Sequence, residues 1–167
     1  MKLALAVTCA LGVLGGTAQA QDSDVFVESR VLTPELAQQM AEAAMISCRD
    51  SGYQVGVTVV DRSGIPQVFL RDRFAGMHVY ETSRRKAWTA VSFRTSTSEL
   101  AASTEAGQTS SGIRHLAEAL PLGGGLVVYE GNGSIVAGIG VSGAPGPDLD
   151  EVCAEAGIAA IEDQIAF

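Results

Sequence analysis

The chain has 167 residues, of which 47% are hydrophobic, and a formal net charge of −8 at pH 7. This length suffices for one ordinary domain with a hydrophobic core. An acidic surface repels phosphate backbones and offers no polybasic attraction to anionic lipid, so the composition argues against a nucleic-acid or membrane-surface partner.

The first twenty residues have the pattern of a secretory signal peptide. A short positive start at Met1 and Lys2 precedes an apolar stretch over residues 3–14, and residues 18–20 (Ala-Gln-Ala) form a small-x-small cleavage site. The apolar stretch is too short to span a bilayer stably, so a membrane anchor is the weaker interpretation. We therefore expect an exported protein, periplasmic or secreted, whose folded domain occupies residues 21–167.

The first predicted elements are a helix and a β-hairpin. Thr33, Pro34 and Glu35 supply a hydroxyl N-cap, a proline at the first helical position and an acid in the first turn, and a Ser-Gly pair ends the helix. Alternating β-branched residues predict a strand over residues 53–60. A short polar turn then leads to its hairpin partner over residues 65–70.

The middle of the chain predicts a loop over residues 71–78, then two further helices and a second loop. Apolar residues at helical spacing predict a helix over residues 79–93. A second, short helix is expected to begin at Ser96 or Thr97. Residues 105–118 have little periodicity, and the pattern favours a mobile loop over residues 108–112.

The last third predicts a second hairpin and a final helix. Strands over residues 126–129 and 135–141 flank a Gly-Asn-Gly turn. Asp148 is the expected N-cap of the last helix, with Glu151 as its capping-box partner. Because hairpins form antiparallel sheets and the helices must cover them, the predicted class is α+β: one domain with a single antiparallel sheet flanked by helices.

Two cysteines follow the leader, Cys48 near the end of the first helix and Cys153 near the start of the last. An even pair in an oxidising compartment is typical of a disulfide, and two buried free thiols are the alternative. The bond requires the two helices to pack antiparallel, because in a parallel pair the cysteines lie a helix length apart.

Familiar enzyme motifs are missing from the sequence. The Gly run at residues 123–125 follows no strand and opens no helix, so it is not a phosphate loop, and a tight backbone turn into a buried strand explains it better. No serine lies in a Gly-x-Ser-x-Gly elbow, and no His or Cys spacing suggests zinc.

The basic residues are concentrated in one region of this acidic chain: Arg71, Arg73, Arg84, Arg85 and Lys86. His78 lies among them, with Phe74, Met77 and Trp88 as apolar neighbours in sequence. An imidazole can ligate haem iron, guanidinium groups can bind the propionates, and apolar side chains can line the ring. The alternative is a solvent-facing histidine beside a solvated arginine face. For His115, a surface or loop-packing position is favoured.

Six segments resemble the family called GlcG, HbpS or haem-degrading: LTPELA (32–37), VTVVDRSG (57–64), RRKAWTA (84–90), LGGGL (122–126), VAGIGVSGA (136–144) and DEVCAEAG (150–157). They cover essentially all of the chain after the leader, in order. The resemblance implies a profilin-like sheet flanked by helices that assembles into homo-oligomers, dimers and often larger rings. It also implies haem binding by some members, haem degradation by a few, and kinship with the C-terminal domain of PduO cobalamin adenosyltransferases.

Within this family, a subset resembles the chain in carrying a histidine at the position of His78. The match implies that His78 ligates haem iron. From the residue chemistry we expect Arg71, Arg84 or Arg85 to hold the propionates and Phe74 or Trp88 to form an apolar wall. The leading hypothesis is therefore an exported haem-binding protein for sequestration, delivery or sensing, with an exported sensor or transport protein as partner.

The main alternative is a small-molecule protein in which the arginine cluster binds a hydroxy acid or another carboxylate, since GlcG-like members are encoded beside glycolate genes. A third hypothesis is a structural or sensor-partner protein that docks through its acidic exterior. The sequence does not decide whether the chain is an enzyme.

Overall fold

The structure, a computed structural model, describes residues 27–167, and the predicted signal peptide lies outside this range. In chain order the elements are α1 (Pro34–Asp50), β1 (Gly56–Asp61), β2 (Pro66–Arg71), α2 (Val79–Phe93), α3 (Thr97–Ser103), a 3-10 helix (Ser111–His115), β3 (Gly125–Tyr129), β4 (Ile135–Ser142), α4 (Pro147–Ala159) and α5 (Glu162–Ile165). Within residues 27–167, none of the helices combines the length and the apolarity needed to cross a bilayer.

The four strands form one antiparallel sheet in the order β2-β1-β4-β3. Successive side chains of a strand point to opposite faces. Val57 and Val59 of β1 therefore join the core with α1 and α4, whereas Thr58 and Val60 contact α2 on the other face. The predicted α+β class, a single antiparallel sheet flanked by helices, is confirmed.

Helices α1 and α4 pack against each other on one face of the sheet, and a disulfide joins Cys48 to Cys153 with 5.4 Å between their Cα atoms. Gly157, one turn beyond Cys153, contacts Met40 and Ala44, which precede Cys48 in α1. The helices therefore run antiparallel, which is the arrangement that the bond requires.

Helix α2 lies close to the opposite face because glycines of β3 and β4 lie beneath it. A Cβ atom at Gly140 would overlap the carbonyl oxygen of Ser83, and one at Gly125 would overlap that of Lys86. The Ser83 hydroxyl also lies 2.7 Å from that of Thr58 in β1. The backbone of α2 thus rests directly on the sheet, and its position is narrowly defined.

Two local expectations differ from the structure. The capping box at Asp148 is wrong: α4 begins at Pro147, its N-cap is Gly146, and no side chain caps it. Glu151 instead accepts hydrogen bonds from the Gly124 N–H at 3.2 Å and the Ser98 hydroxyl at 2.8 Å, because these tertiary donors lie within its reach.

The mobile loop expected over residues 108–112 overlaps the 3-10 helix Ser111–His115. Arg114 holds it in place by donating to the carbonyl oxygens of Thr104 at 2.7 Å and Ala101 at 2.8 Å. Long-range side-chain hydrogen bonds thus order a segment that lacks hydrophobic periodicity.

Candidate functional site

A cleft of about 390 Å³ opens where the start of α2, the end of β4 and the start of α4 meet. Its walls are formed by His78, Thr82, Lys86, Leu122, Asp150 and residues 142–147. The cleft therefore combines polar side chains from two helices with a backbone wall of glycine and proline. This end of the molecule is the candidate functional site.

His78 lies at the edge of the cleft, directly before α2, and its side chain is exposed. The imidazole has no hydrogen-bond partner among residues 27–167. Its ring occupies the space above Gly76, where a Cβ atom would lie 2.6 Å from the ring carbon Cε1. The Thr82 hydroxyl lies 3.0 Å from the His78 carbonyl oxygen and 2.7 Å from Ser142 Oγ, so the backbone of His78 is tied to β4.

The loop that precedes His78 is fixed at Asp72, a buried residue whose carboxylate accepts hydrogen bonds from Arg49 Nε at 2.9 Å and from the Arg73 N–H at 2.8 Å. The hydrogen bond from Arg49 holds the pKa of Asp72 below its ordinary value, against the opposing effect of burial. Arg71 also donates to the Ala75 carbonyl oxygen. Residues 71–75 thereby present His78 in a defined position.

Large apolar side chains on this loop face solvent. Phe74 is 81% exposed and Met77 is 94% exposed. Tyr80, in the first turn of α2, is half exposed and makes an edge-to-face contact with Phe69, with 4.8 Å between ring centroids. Neighbouring exposed apolar side chains indicate a binding surface, since burial in a complex removes them from water.

The floor of the cleft is a buried ion pair between Lys86 of α2 and Asp150 of α4. Lys86 Nζ donates to Asp150 Oδ2 at 2.7 Å and to the Val141 carbonyl oxygen at 2.9 Å, and its side chain is 1% exposed. Burial lowers the pKa of Lys86 and raises that of Asp150, because each charge has left water, while their mutual attraction opposes both shifts.

The glycine run 123–125 makes room for this pair. Gly124 has a φ of +107°, and a Cβ atom there would lie 2.7 Å from Asp150 Cβ and 3.1 Å from Lys86 Nζ. The run therefore turns the backbone tightly into β3, in agreement with the structural role inferred from the sequence.

Arg84 and Arg85, predicted to bind an anion, already have partners in the segment before β3. Arg84 pairs with Glu81 at 3.0 Å and Glu118 at 2.9 Å, and the hydrogen bond to Glu81 raises its pKa. Arg85 donates to the carbonyl oxygens of Glu118 and Ala119. Neither side chain lines the cleft. Both guanidinium groups already have protein partners, so neither supplies a free cation to the carboxylate pocket that the sequence predicted.

The structure separates Trp88 from His78. The indole packs over Gly64 in the β1–β2 turn, where a Cβ atom would lie 2.6 Å from its Cδ1 atom. Ten residues of helix separate the two positions, a rise of roughly 15 Å along the axis. Of the six residues predicted to bind haem, His78 alone lines the cleft. Arg71 ends β2 and Phe74 lies in the loop between β2 and α2, next to His78 in sequence. The remaining three, Arg84, Arg85 and Trp88, lie on α2 outside the cleft.

Sequence reasoning missed the contribution of Asp150 and treated Lys86 only as a member of the basic cluster. A signal was available, because Lys86 lies three residues after Ser83 and four before Ala90, on the buried stripe of α2. A lysine on the buried face of a helix requires a carboxylate partner.

Among residues 27–167, no group of three or more His, Cys, Asp or Glu side chains could hold a metal ion.

The sequence of the chain is similar to that of proteins of a known family. The family model described as "Haem degrading protein HbpS-like" matches residues 32–159. The corrinoid adenosyltransferase PduO of Citrobacter freundii is 31% identical over 125 residues, which are 74% of this chain and 37% of the relative. The chain thus spans little more than a third of that curated relative.

Two solved structures share the fold. A double mutant of Streptomyces reticuli HbpS is 38% identical, with a TM-score of 0.77 over 95% of this chain and 99% of that one. A structure described as the PduOC:Heme complex is 28% identical, with a TM-score of 0.73 over 78% of this chain and 95% of that one. Haem is thus bound by a protein with the same fold.

Proposed function

The chain belongs to the HbpS-like family of haem-degrading proteins, and from this membership we propose that it is an exported haem-binding protein whose iron ligand is His78. The observation that carries the proposal is the exposed imidazole at the edge of the 390 Å³ cleft, which has no hydrogen-bond partner within the described range 27–167. The relative described as the PduOC:Heme complex supports haem as the bound molecule.

The residues around His78 suit an iron porphyrin. Neutral imidazole is a common axial ligand of haem iron. The exposed side chains of Phe74 and Met77 offer apolar surface to the porphyrin ring, and Gly76 leaves the imidazole room above the backbone. His78 would hold the iron of bound haem through a ring nitrogen.

The propionates require cations that remain accessible. Arg73 is 72% exposed and lies 4.0 Å from Asp72, and Arg71 is exposed at the end of β2. Arg73 lies in the loop that carries His78, and Arg71 is the strand residue from which that loop begins. We assign the propionates to these two arginines, because Arg84 and Arg85 hold the segment around Glu118 and Trp88 packs at the far end of α2.

A hemin titration of the purified protein tests the ligand. We expect a sharpened Soret band for the wild type, and loss of that band shape with about tenfold weaker binding for His78→Ala, since one axial bond is removed. Added imidazole should restore the spectrum. His115→Ala, which removes an exposed histidine outside the cleft, is the matched control. Identical spectra for the wild type and His78→Ala would refute the assignment.

Gly76→Ala is a second variant that keeps the imidazole. Its new methyl group would displace the His78 ring, so we expect weaker hemin binding with an altered Soret position and little change in melting temperature. Unchanged binding would show that the ring does not occupy this position when haem is bound.

Export, assembly and partners complete the proposal. Cleavage after Ala20 would deliver residues 21–167 to the periplasm or medium, where the protein would sequester, deliver or sense haem as a homo-oligomer with an exported partner. N-terminal sequencing of protein recovered outside the cytoplasm tests the cleavage, and light scattering after size exclusion tests the assembly. An uncleaved, cytoplasmic chain would contradict the first part, and a monomer at all concentrations the second.

A further inference from the structure

A second cleft lies at the opposite end of α2, where the turns of the two hairpins meet the C-terminus of that helix. Its volume is about 320 Å³, and it is lined by Arg62, Arg94, Tyr129, Gly133, Ser134 and Ile135. Arg62 comes from the β1–β2 turn and Arg94 is the C-cap of α2. No carboxylate is among the lining residues, although the chain carries 19 acidic residues.

The two arginines of this cleft differ from every other Lys and Arg that the structure describes. Residues 27–167 contain ten Lys and Arg side chains, and eight of them have a protein partner. Five form ion pairs: Arg30, Arg49, Arg73, Arg84 and Lys86. Three donate to backbone carbonyl oxygens: Arg71, Arg85 and Arg114. Arg62 and Arg94 are the remaining two, and both line the same cleft.

The backbone of Arg94 gives a second, independent observation. Its φ of 58° and ψ of 38° are left-handed, and among residues 27–167 it is the only non-glycine residue with positive φ. Glycine is favoured at this position after a helix, because a Cβ atom crowds the backbone there. When a residue other than glycine occupies a backbone conformation that favours glycine, a role for its side chain is indicated.

We propose that this cleft binds a small dianionic oxyanion, of phosphate or dicarboxylate chemistry, between Arg62 and Arg94. Two guanidinium forks match the oxygens of such a ligand and balance its charge. The hydroxyls of Tyr129 and Ser134 add two further donors at the wall. On a chain of net charge −8, a cleft lined by two arginines without a partner among residues 27–167, and by no carboxylate of that range, favours an anionic ligand.

The site is separate from the proposed haem site. Helix α2 has 15 residues, a length of roughly 22 Å, and the two clefts lie at its two ends. Loss of haem binding in His78→Ala should therefore leave oxyanion binding unchanged, and the converse should hold for the arginine variants.

Isothermal titration of the full protein at low ionic strength, with inorganic phosphate in one arm and succinate in the other, tests the proposal. The wild type should bind at least one of the two, and the arms identify the preferred oxyanion. Arg62→Gln/Arg94→Gln should weaken binding about tenfold or more. Ala102→Glu/Gln108→Glu makes the same change of −2 in net charge at exposed positions outside the cleft, and should bind as the wild type does.

Arg94→Gly separates the role of the side chain from that of the backbone. Glycine suits the left-handed conformation, so this variant should melt at a higher temperature than the wild type while binding phosphate or succinate more weakly. A variant that failed to fold would not show this pair of changes.

The proposal is overturned by either of two results. One is the absence of binding heat from both anions in the wild type. The other is an equal loss in the Ala102→Glu/Gln108→Glu control, which would assign the effect to net charge. Neither result bears on hemin binding, so the proposed function is tested separately.

Discussion

The two faces of the sheet are held to their helices by different forces. On the α1/α4 face, a continuous cluster of buried apolar residues and the Cys48–Cys153 disulfide join helices and sheet. On the α2 face, the buried apolar cluster contains only Val60, Ala87 and Val91. The rest of the contact is close backbone packing on glycine, the Thr58–Ser83 hydrogen bond and the Lys86–Asp150 pair.

The α1/α4 face thus supplies most of the buried apolar surface, whereas the α2 face carries the two candidate sites. Apolar burial is non-directional and stabilises the α1/α4 face without fixing any single atom, whereas hydrogen bonds and close backbone contacts define a position. Both clefts open at the ends of α2. The face with less apolar burial therefore positions the residues that we assign to ligands.

Removing the disulfide tests the α1/α4 face and should have the largest effect. Cys48→Ala/Cys153→Ala opens a link between residues 105 apart in sequence, and a chain-entropy model gives a loss of about 4–5 kcal/mol in the free energy of unfolding. Urea denaturation under non-reducing conditions measures it. Hemin binding by the folded variant should be unchanged, and a large change in its spectrum would contradict the separation of the two faces.

Breaking the buried ion pair tests the α2 face. Lys86→Met leaves the Asp150 carboxylate buried without its cation, which should lower the free energy of unfolding by about 3–5 kcal/mol. Lys86→Met/Asp150→Asn should recover most of that loss, because burial opposes both charges and Asn still accepts the Ala144 N–H. Urea denaturation compares the two variants, and a double variant no more stable than the single one would contradict this explanation.

Gly140→Ala tests the close packing of α2. The added methyl group meets the Ser83 carbonyl oxygen, and we expect a loss of about 1–3 kcal/mol from overpacking, measured by thermal melting. Hemin and phosphate binding should both weaken, because α2 is displaced. Gly112→Ala, where no atom lies within 4 Å of the new Cβ, is the matched control, and an equal loss there would contradict the prediction.

Asp72 should give the smallest effect, seen as a change in how the free energy of unfolding depends on pH in acid. Its folded pKa lies below the ordinary value of 3.8, so its stabilising contribution is present above that pH and is lost as the pH falls through the folded value. Asp72→Asn should flatten the acid dependence of the free energy of unfolding below about pH 4. Urea titrations at several acidic pH values measure the slope. A slope unchanged from that of the wild type would contradict the role of the Arg49–Asp72 pair.

Much of the fold could be predicted because its signals are local. The bounds of α2, residues 79–93, agree with the structure because apolar spacing and flanking loop residues mark both ends. The N-cap at Thr33 is confirmed by its hydrogen bond from the Leu36 N–H. The cap at Asp148 failed because capping competes with tertiary hydrogen bonds, such as those of Glu151, that no local pattern reveals.

The candidate site was predictable in part. Sequence proximity correctly placed Phe74, Met77 and His78 on one exposed loop. It failed for Arg84 and Arg85, whose partners lie more than thirty residues away, and for Trp88, which is close in sequence but packs at the other end of α2. The importance of Arg62 and Arg94 also went unnoticed, since a lack of partners is a property of the folded molecule.

The sequence by itself determined the elements, the α+β class and the loop that carries His78, because hydrophobic periodicity and turn residues act over a few positions. Only the tertiary structure decided which charges are paired. Arg84 pairs with Glu118 and Lys86 pairs with Asp150, while Arg62 and Arg94 line one cleft and have no partner in the part of the chain that the structure describes. The physical reason is that a charge is satisfied by whatever lies within a few ångströms in space, and that neighbourhood exists only after the chain has folded.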